Sequence, residues 1–143
     1  MQLIIDVGNT RVKVAVFDDD IMIAKKAVAL PQFIESLGAF IAEYPIKKAI
    51  ISSVGRLSQE QSRSVQLRFP TILLSHNTPL PFVNDYATPE TLGVDRMALV
   101  AAFAKAYPEK NGLIIDAGTC ITYDFINAAG HYKGGAISPG IQL

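Results

Sequence analysis

Apolar residues at the start of the chain fall into two short runs separated by a polar turn. Residues 3–7 and 11–17 read as two strands around a short Gly8-Asn9 turn, with Val12, Val14 and Val16 on one face and Arg11 and Lys13 on the other. Asp18, Asp19 and Asp20 form a polar turn into a third strand over 21–30, so the chain opens as an antiparallel meander. The period then lengthens. Phe33, Ile34, Leu37, Ile41 and Tyr44 recur at helical spacing after Pro31, and Pro45 stops that helix. Residues 46–52 read as a buried strand, Gly55 breaks the pattern, and Ser58 with Gln61 offers a capping box for a short polar helix. A further strand follows at 71–74.

The segment 75–89 holds Pro79, Pro81 and Pro89 with few apolar residues and reads as a long, ordered, functional loop. Residues 93–107 are helical. The run Met97–Ala104 is apolar on every side, which predicts a central helix buried between layers. A second hairpin begins at Leu113, turns at Gly118, turns again near Ala129-Gly130 and returns from Tyr132 to Ser138. Its first half, Leu-Ile-Ile-Asp-Ala-Gly-Thr from Leu113, nearly copies Leu-Ile-Ile-Asp-Val-Gly-Asn-Thr from Leu3, so one structural unit is expected twice. Meander, helix, strand, helix, strand is the order of an RNase H-like α/β domain, with parallel strands added to the meander and helices on both faces. The expected organisation is a first such domain over 1–90, a connecting buried helix over 91–110, and over 111–143 the opening hairpin strands of a second, truncated one.

The 143 residues, 50% apolar, suffice for one domain core of ordinary size. Lys plus Arg and Asp plus Glu number 13 each, with no long run of either sign, so nothing marks a nucleic-acid or anionic-membrane surface. Small molecules and other subunits are the expected partners. The longest apolar run falls far short of the roughly 20 residues that a membrane-spanning helix needs. A single cysteine, Cys120, and an N-terminus that reaches Asp6 without a basic leader make the cytoplasm the expected location.

A strand that ends in a carboxylate and a glycine turn is a phosphate-and-metal device, because backbone N–H groups can approach an anion while the carboxylate holds a hydrated cation. Asp6-Val7-Gly8-Asn9-Thr10 has this form, with Lys13 three residues on as a point charge for phosphates. The plain alternative is an ordinary hairpin turn. In the second copy Asp116 is placed to ligate a cation and Thr119 to donate to a phosphate oxygen, or Asp116 merely caps its own turn. Cys120 is expected as a small buried hydrophobe. At the start of the 93–107 helix, Gly93, Val94, Asp95 and Arg96 combine emergent N–H groups with a forked cation suited to a carboxylate. Asp95 is either a general base or a dipole-stabilising first-turn acid. Tyr86 lines a substrate pocket or anchors its loop. His76 and His131 stand singly, without zinc-ligand spacing.

Asp6 to Lys13, Asn84-Asp85-Tyr86 with Pro89, Leu92 to Arg96, Ile115 to Thr119 and Gly134 to Gly140, taken in series, resemble the type III pantothenate kinases of the sugar kinase, Hsp70 and actin superfamily. The resemblance implies two RNase H-like domains around an ATP cleft and phosphorylation of the pantothenate hydroxyl, the first committed step toward coenzyme A. It implies that Asp6, Val7, Gly8, Asn9, Thr10, Arg11, Val12 and Lys13 bind ATP phosphates, with Thr119 also contacting ATP. Asp95 is then the general base, and Tyr86, Gly93, Val94, Asp95 and Arg96 hold pantothenate. Asp116 would ligate a monovalent cation, K⁺ or NH₄⁺, beside a requirement for Mg²⁺, and the enzyme would be a homodimer. Family members run roughly a hundred residues longer, so the second domain is expected to be incomplete here and the chain inactive alone. Two alternatives are a noncatalytic module of the same superfamily and an RNase H-type nuclease using Asp6, Asp95 and Asp116.

Overall fold

The structure, a computed structural model, describes residues 1–54 and 57–140. Gly55, expected to break the strand pattern, lies outside the described residues. The chain divides into two compact units, Met1–Leu74 and Ser75–Leu143.

In the first unit the period-two segments become β1 (Gln2–Val7), β2 (Val12–Asp18) and β3 (Ile21–Val28), paired antiparallel in sequence order. Asp19 sits at φ 49 in the turn between β2 and β3, a conformation that a short polar side chain tolerates. A single 3-10 turn over Leu30–Gln32 leads into α1 (Phe33–Ile41). Next come β4 (Lys48–Ser53), parallel to β1, then α2 (Gln59–Gln66) and β5 (Thr71–Leu73), parallel to β4. The sheet order is β3-β2-β1-β4-β5.

Alternation puts Leu3, Ile5 and Val7, Val12, Val14 and Val16, and Ala49 and Ile51 on one face, which packs with Phe33, Leu37 and Ile41 of α1. Full burial of each large apolar side chain contributes roughly 1.5–3 kcal/mol. A slip of one residue in the register Ile5↔Val14 or Ile5↔Ile51 would expose this whole set, which is why the pairing is well specified. The capping box at α2 is present as expected. Ser58 Oγ accepts from the Gln61 N–H at 3.1 Å, and Gln61 Oε1 accepts from the Ser58 N–H at 3.0 Å.

The second unit holds β6 (Val83–Asn84), a 3-10 turn over Pro89–Thr91, α3 (Val94–Ala106), β7 (Gly112–Ala117), β8 (Cys120–Ile126) and β9 (His131–Pro139), in sheet order β6-β9-β8-β7. The expected loop therefore contributes a strand of its own. β6 runs parallel to β9 along Val83↔His131 and Asn84↔Tyr132, and two residues are too few to show a period in sequence. Helix α3 buries Val94, Arg96, Met97 and Val100, whereas Ala98 and Ala102 are exposed. It is not enclosed on every side as its composition predicts, because alanine loses little by facing water. The helix lies against β7 and β8, with the Phe103 ring over Gly112, where any Cβ would collide with it. Leu113, Ile115 and Phe125, alternating to the other side of the sheet, are exposed.

Candidate functional site

Asp6 is the penultimate residue of β1, opposite Lys13 of β2 and beside Ser52 of β4. Lys13 Nζ lies 3.7 Å from Asp6 Oδ2, and the lysine side chain is 70% exposed, so its charge is free to turn toward an anion. The four-residue turn is closed by the Gly8 N–H donating to the Arg11 carbonyl at 3.1 Å. Asn9, Thr10 and Arg11 are exposed, while Val7 and Val12 are buried and root the hairpin in the core. At the carboxyl end of β4, beside Asp6, the hydroxyl oxygens of Ser52 and Ser53 are buried without a hydrogen-bond partner. The carboxyl ends of adjacent parallel strands are where open α/β sheets receive ligands, and sequence reading had not singled out either serine.

The second hairpin is a shortened version of the first. Its turn holds only Gly118 and Thr119, with the Gly118 N–H donating to the Cys120 carbonyl at 2.9 Å. Gly140 closes over it, donating to the Thr119 carbonyl at 3.1 Å, and a Cβ at Gly140 would strike the Gly118 carbonyl. Asp116 and Thr119 are exposed. Cys120 is exposed too, correcting the expectation of a buried side chain, since it stands at the first position of β8 where the sheet is uncovered.

The start of α3 is built more tightly. His76 Nε2 lies 2.8 Å from the carbonyl of Leu92, which is buried immediately before the helix. Gly93 is the N-cap residue. The Asp95 carboxylate folds back over it, where a Cβ would clash with Oδ1, and that same oxygen accepts the Arg96 N–H at 2.9 Å. Asp95 remains half-buried.

Arg96 is 6% exposed and its guanidinium turns under the sheet to Asp124, which is fully buried. Asp124 Oδ1 accepts from Nη2 at 2.6 Å and from Nε at 3.0 Å, and it also accepts the Tyr132 hydroxyl at 2.6 Å. Nη2 donates to the Tyr132 hydroxyl oxygen at 3.2 Å. Burial opposes the Arg96 charge, but the hydrogen bonds and charge of Asp124 outweigh it and hold the guanidinium protonated above its ordinary value. Burial, then the hydrogen bond to Asp124, pushes the Tyr132 phenol well above its ordinary value. Gly135 opposes Asp124 in β9, and a Cβ there would meet the Tyr123 carbonyl and lie 2.8 Å from Arg96 Nη2. Asp124 had escaped sequence reading. The available signal was a carboxylate between Thr122 and Ile126 on an inward-facing rung, which requires a partner.

Tyr86 packs on the same cluster. Its N–H donates to Asn84 Oδ1 at 3.1 Å, its ring centroid lies 6.1 Å from that of Tyr132, and the ring spans Gly134 at φ 110. Beside it Asp85 accepts from Lys133 at 2.7 Å and contacts His131 Nδ1 at 2.9 Å. These two, Lys133 first, hold the Asp85 carboxyl below its ordinary range.

Tyr86 and Arg96 are thus linked through Tyr132, and Gly93, Val94 and Asp95 adjoin Arg96 at the α3 start. Thr122 is one rung from Asp124, about 6.6 Å along β8, and faces Asp116 across the β7–β8 ladder. Asp116 consequently lies on the sheet face that carries α3. Among the described residues, no three His, Cys, Asp or Glu side chains cluster closely enough to hold a metal by themselves, and no helix is long and apolar enough to cross a membrane.

Residues 2–143 match the family model for type III pantothenate kinase. The type III pantothenate kinase of Christiangramia forsetii is 45% identical over all of this chain, which covers 59% of that protein. A Campylobacter jejuni structure described as a Baf family transcriptional activator is 25% identical, with a TM-score of 0.61 over 97% of this chain and 55% of that one. The ethanolamine utilization protein EutJ of Carboxydothermus hydrogenoformans shares the fold at 12% identity, with a TM-score of 0.55 over 98% of this chain and 52% of its own. The architecture is accordingly the RNase H-like α/β fold. The chain spans about three-fifths of the length of the curated relative. Motifs, topology and whole-chain similarity converge, and the chain belongs to the type III pantothenate kinase family.

Proposed function

We propose that the polypeptide carrying this chain transfers the γ-phosphoryl group of ATP to the hydroxyl of pantothenate, giving 4′-phosphopantothenate and ADP. The observation that carries the reading is Asp95: a carboxylate at a helix start, oriented by the Arg96 N–H and kept clear by Gly93. Phosphoryl transfer asks mainly for positioning and charge stabilisation. In this reading Asp6 to Lys13 receive the ATP phosphates, through backbone N–H groups of the exposed residues 9–11 and the Lys13 ammonium, and Thr119 makes a further ATP contact.

Tyr86 and the helix start, Gly93, Val94, Asp95 and Arg96, hold pantothenate. Asp95 takes the proton as the hydroxyl oxygen forms its bond to the γ-phosphorus and the bond to the β-phosphate oxygen breaks. Mg²⁺, which offsets phosphate charge, is compatible with this chain because it binds through one or two carboxylates plus substrate phosphates, and no closed acidic cage is required. Asp116, an exposed oxygen donor two residues before the Gly118-Thr119 turn, suits a monovalent cation, K⁺ or NH₄⁺. A cytoplasmic homodimer belongs to the same reading. The nuclease alternative needs a basic groove for its substrate, and the balanced charge of the chain, 13 basic against 13 acidic residues with no basic run, does not favour one.

The test uses the full-length polypeptide. Asp95→Asn should abolish pantothenate-dependent ADP release while leaving ATP binding within about twofold. Undiminished turnover would remove Asp95 from the mechanism.

A further inference from the structure

Resting on that kinase reading, we propose that Asp124 and Tyr132 are positioning residues for pantothenate, fixing the α3 start and Tyr86 from beneath through one buried polar cluster. Arg96 is read from sequence as a forked receptor for the substrate carboxylate. In the structure its Nε and Nη2 are both engaged by Asp124, two of the three nitrogens of that fork. Its contribution is therefore one of placement: the residue whose side chain is fastened to β8 is also the residue whose backbone N–H orients the Asp95 carboxylate.

The cluster continues to the other expected substrate contact. Tyr132 gives its hydroxyl hydrogen to Asp124, and its ring lies tilted 35° to that of Tyr86, with Gly134 leaving space for the Tyr86 ring. Tyr86 and Asp95, nine positions apart in sequence and on different segments, are thus mounted on a single buried support. Charge makes the support stiff. The carboxylate and guanidinium are removed from water, so the pair has no solvated arrangement to relax into while the fold is intact. The absence of a side chain at Gly135 keeps the strand close enough for the guanidinium to reach beneath it.

The experiment compares Tyr132→Phe and Asp124→Asn with the parent in the full-length polypeptide, by steady-state kinetics in both substrates, circular dichroism and thermal melting. Tyr132→Phe keeps the ring and removes only the two hydrogen bonds of the hydroxyl, to Asp124 and from Arg96, so it remains informative where Asp124→Asn fails to fold. The expected result is a folded Tyr132→Phe protein with kcat/KM for pantothenate reduced about tenfold or more and KM for ATP within about twofold. A folded Tyr132→Phe protein with unchanged pantothenate kinetics overturns the inference, as does a parallel loss in both substrates. A parent protein that releases no ADP with pantothenate overturns the kinase reading and this inference with it. An active parent with an indifferent Tyr132→Phe variant overturns this inference alone.

Discussion

Arg96 and Asp124, 28 positions apart, meet at 2.6 Å in the interior of the second unit, with the carboxylate fully buried and the guanidinium nearly so. Each partner makes the other tolerable. A lone buried charge is far more costly than a solvated one, so the pair is a poor source of net stability but a severe constraint on substitution.

Removing one partner should therefore destabilise more than removing both. Asp124→Leu and Arg96→Leu are each expected to cost about 3–5 kcal/mol by stranding the partner charge, while the double variant should cost less than either single change. Urea titrations of the four proteins check this. Single variants within 1 kcal/mol of the parent would contradict a desolvated pair.

Two glycines of the second unit, Gly135 in β9 and Gly130 in the turn before it, should respond very unequally to alanine. Gly135→Ala forces a Cβ into the Tyr123 carbonyl and toward the Arg96 guanidinium, so loss of the folded unit is expected. Gly130, at φ 77 with open space around it, should lose only about 1–2 kcal/mol, the cost of the left-handed backbone itself. Equal thermal shifts for the two would show that the β8–β9 spacing is not as tight as described.

Gly93→Ala should separate stability from activity. The obstruction is the Asp95 carboxylate, a short side chain that can rotate away at little cost to folding, but only by abandoning the orientation set by the Arg96 N–H. In the full-length polypeptide, kcat should fall about tenfold or more, with the melting temperature nearly unchanged. Wild-type kcat in this variant would mean that the Asp95 orientation seen here is incidental.

Acid should reveal the Asp85 cluster. Lys133 and then His131 lower the Asp85 pKa in the folded state, so this stabilisation is fully present above the unfolded value, near 3.9, and is lost as pH falls through the lower folded value. The effect is small because the group is exposed. Melting temperatures between about pH 2 and 6 should decline less steeply for Asp85→Asn than for the parent. Superimposable acid limbs would dismiss the contribution.

The local grammar of the chain was legible by itself. Alternation at Leu3, Ile5 and Val7 against Val12, Val14 and Val16 specified the first hairpin and its buried face, the helical spacing of Phe33, Leu37 and Ile41 specified α1, and Ser58 with Gln61 specified the cap of α2. Each of these signals comes from residues only a few positions apart, where period and capping chemistry act without reference to the rest of the fold. Tertiary structure decided what such signals cannot encode. It made Arg96 the buried partner of Asp124, and it recruited Val83 and Asn84 as a strand through β9. It also left Ala98, Ala102 and Cys120 exposed on elements that composition alone would bury. Partner choice across tens of residues depends on which strands and helices come to lie together, because the energy of a buried charge is set by the neighbours that the completed fold supplies.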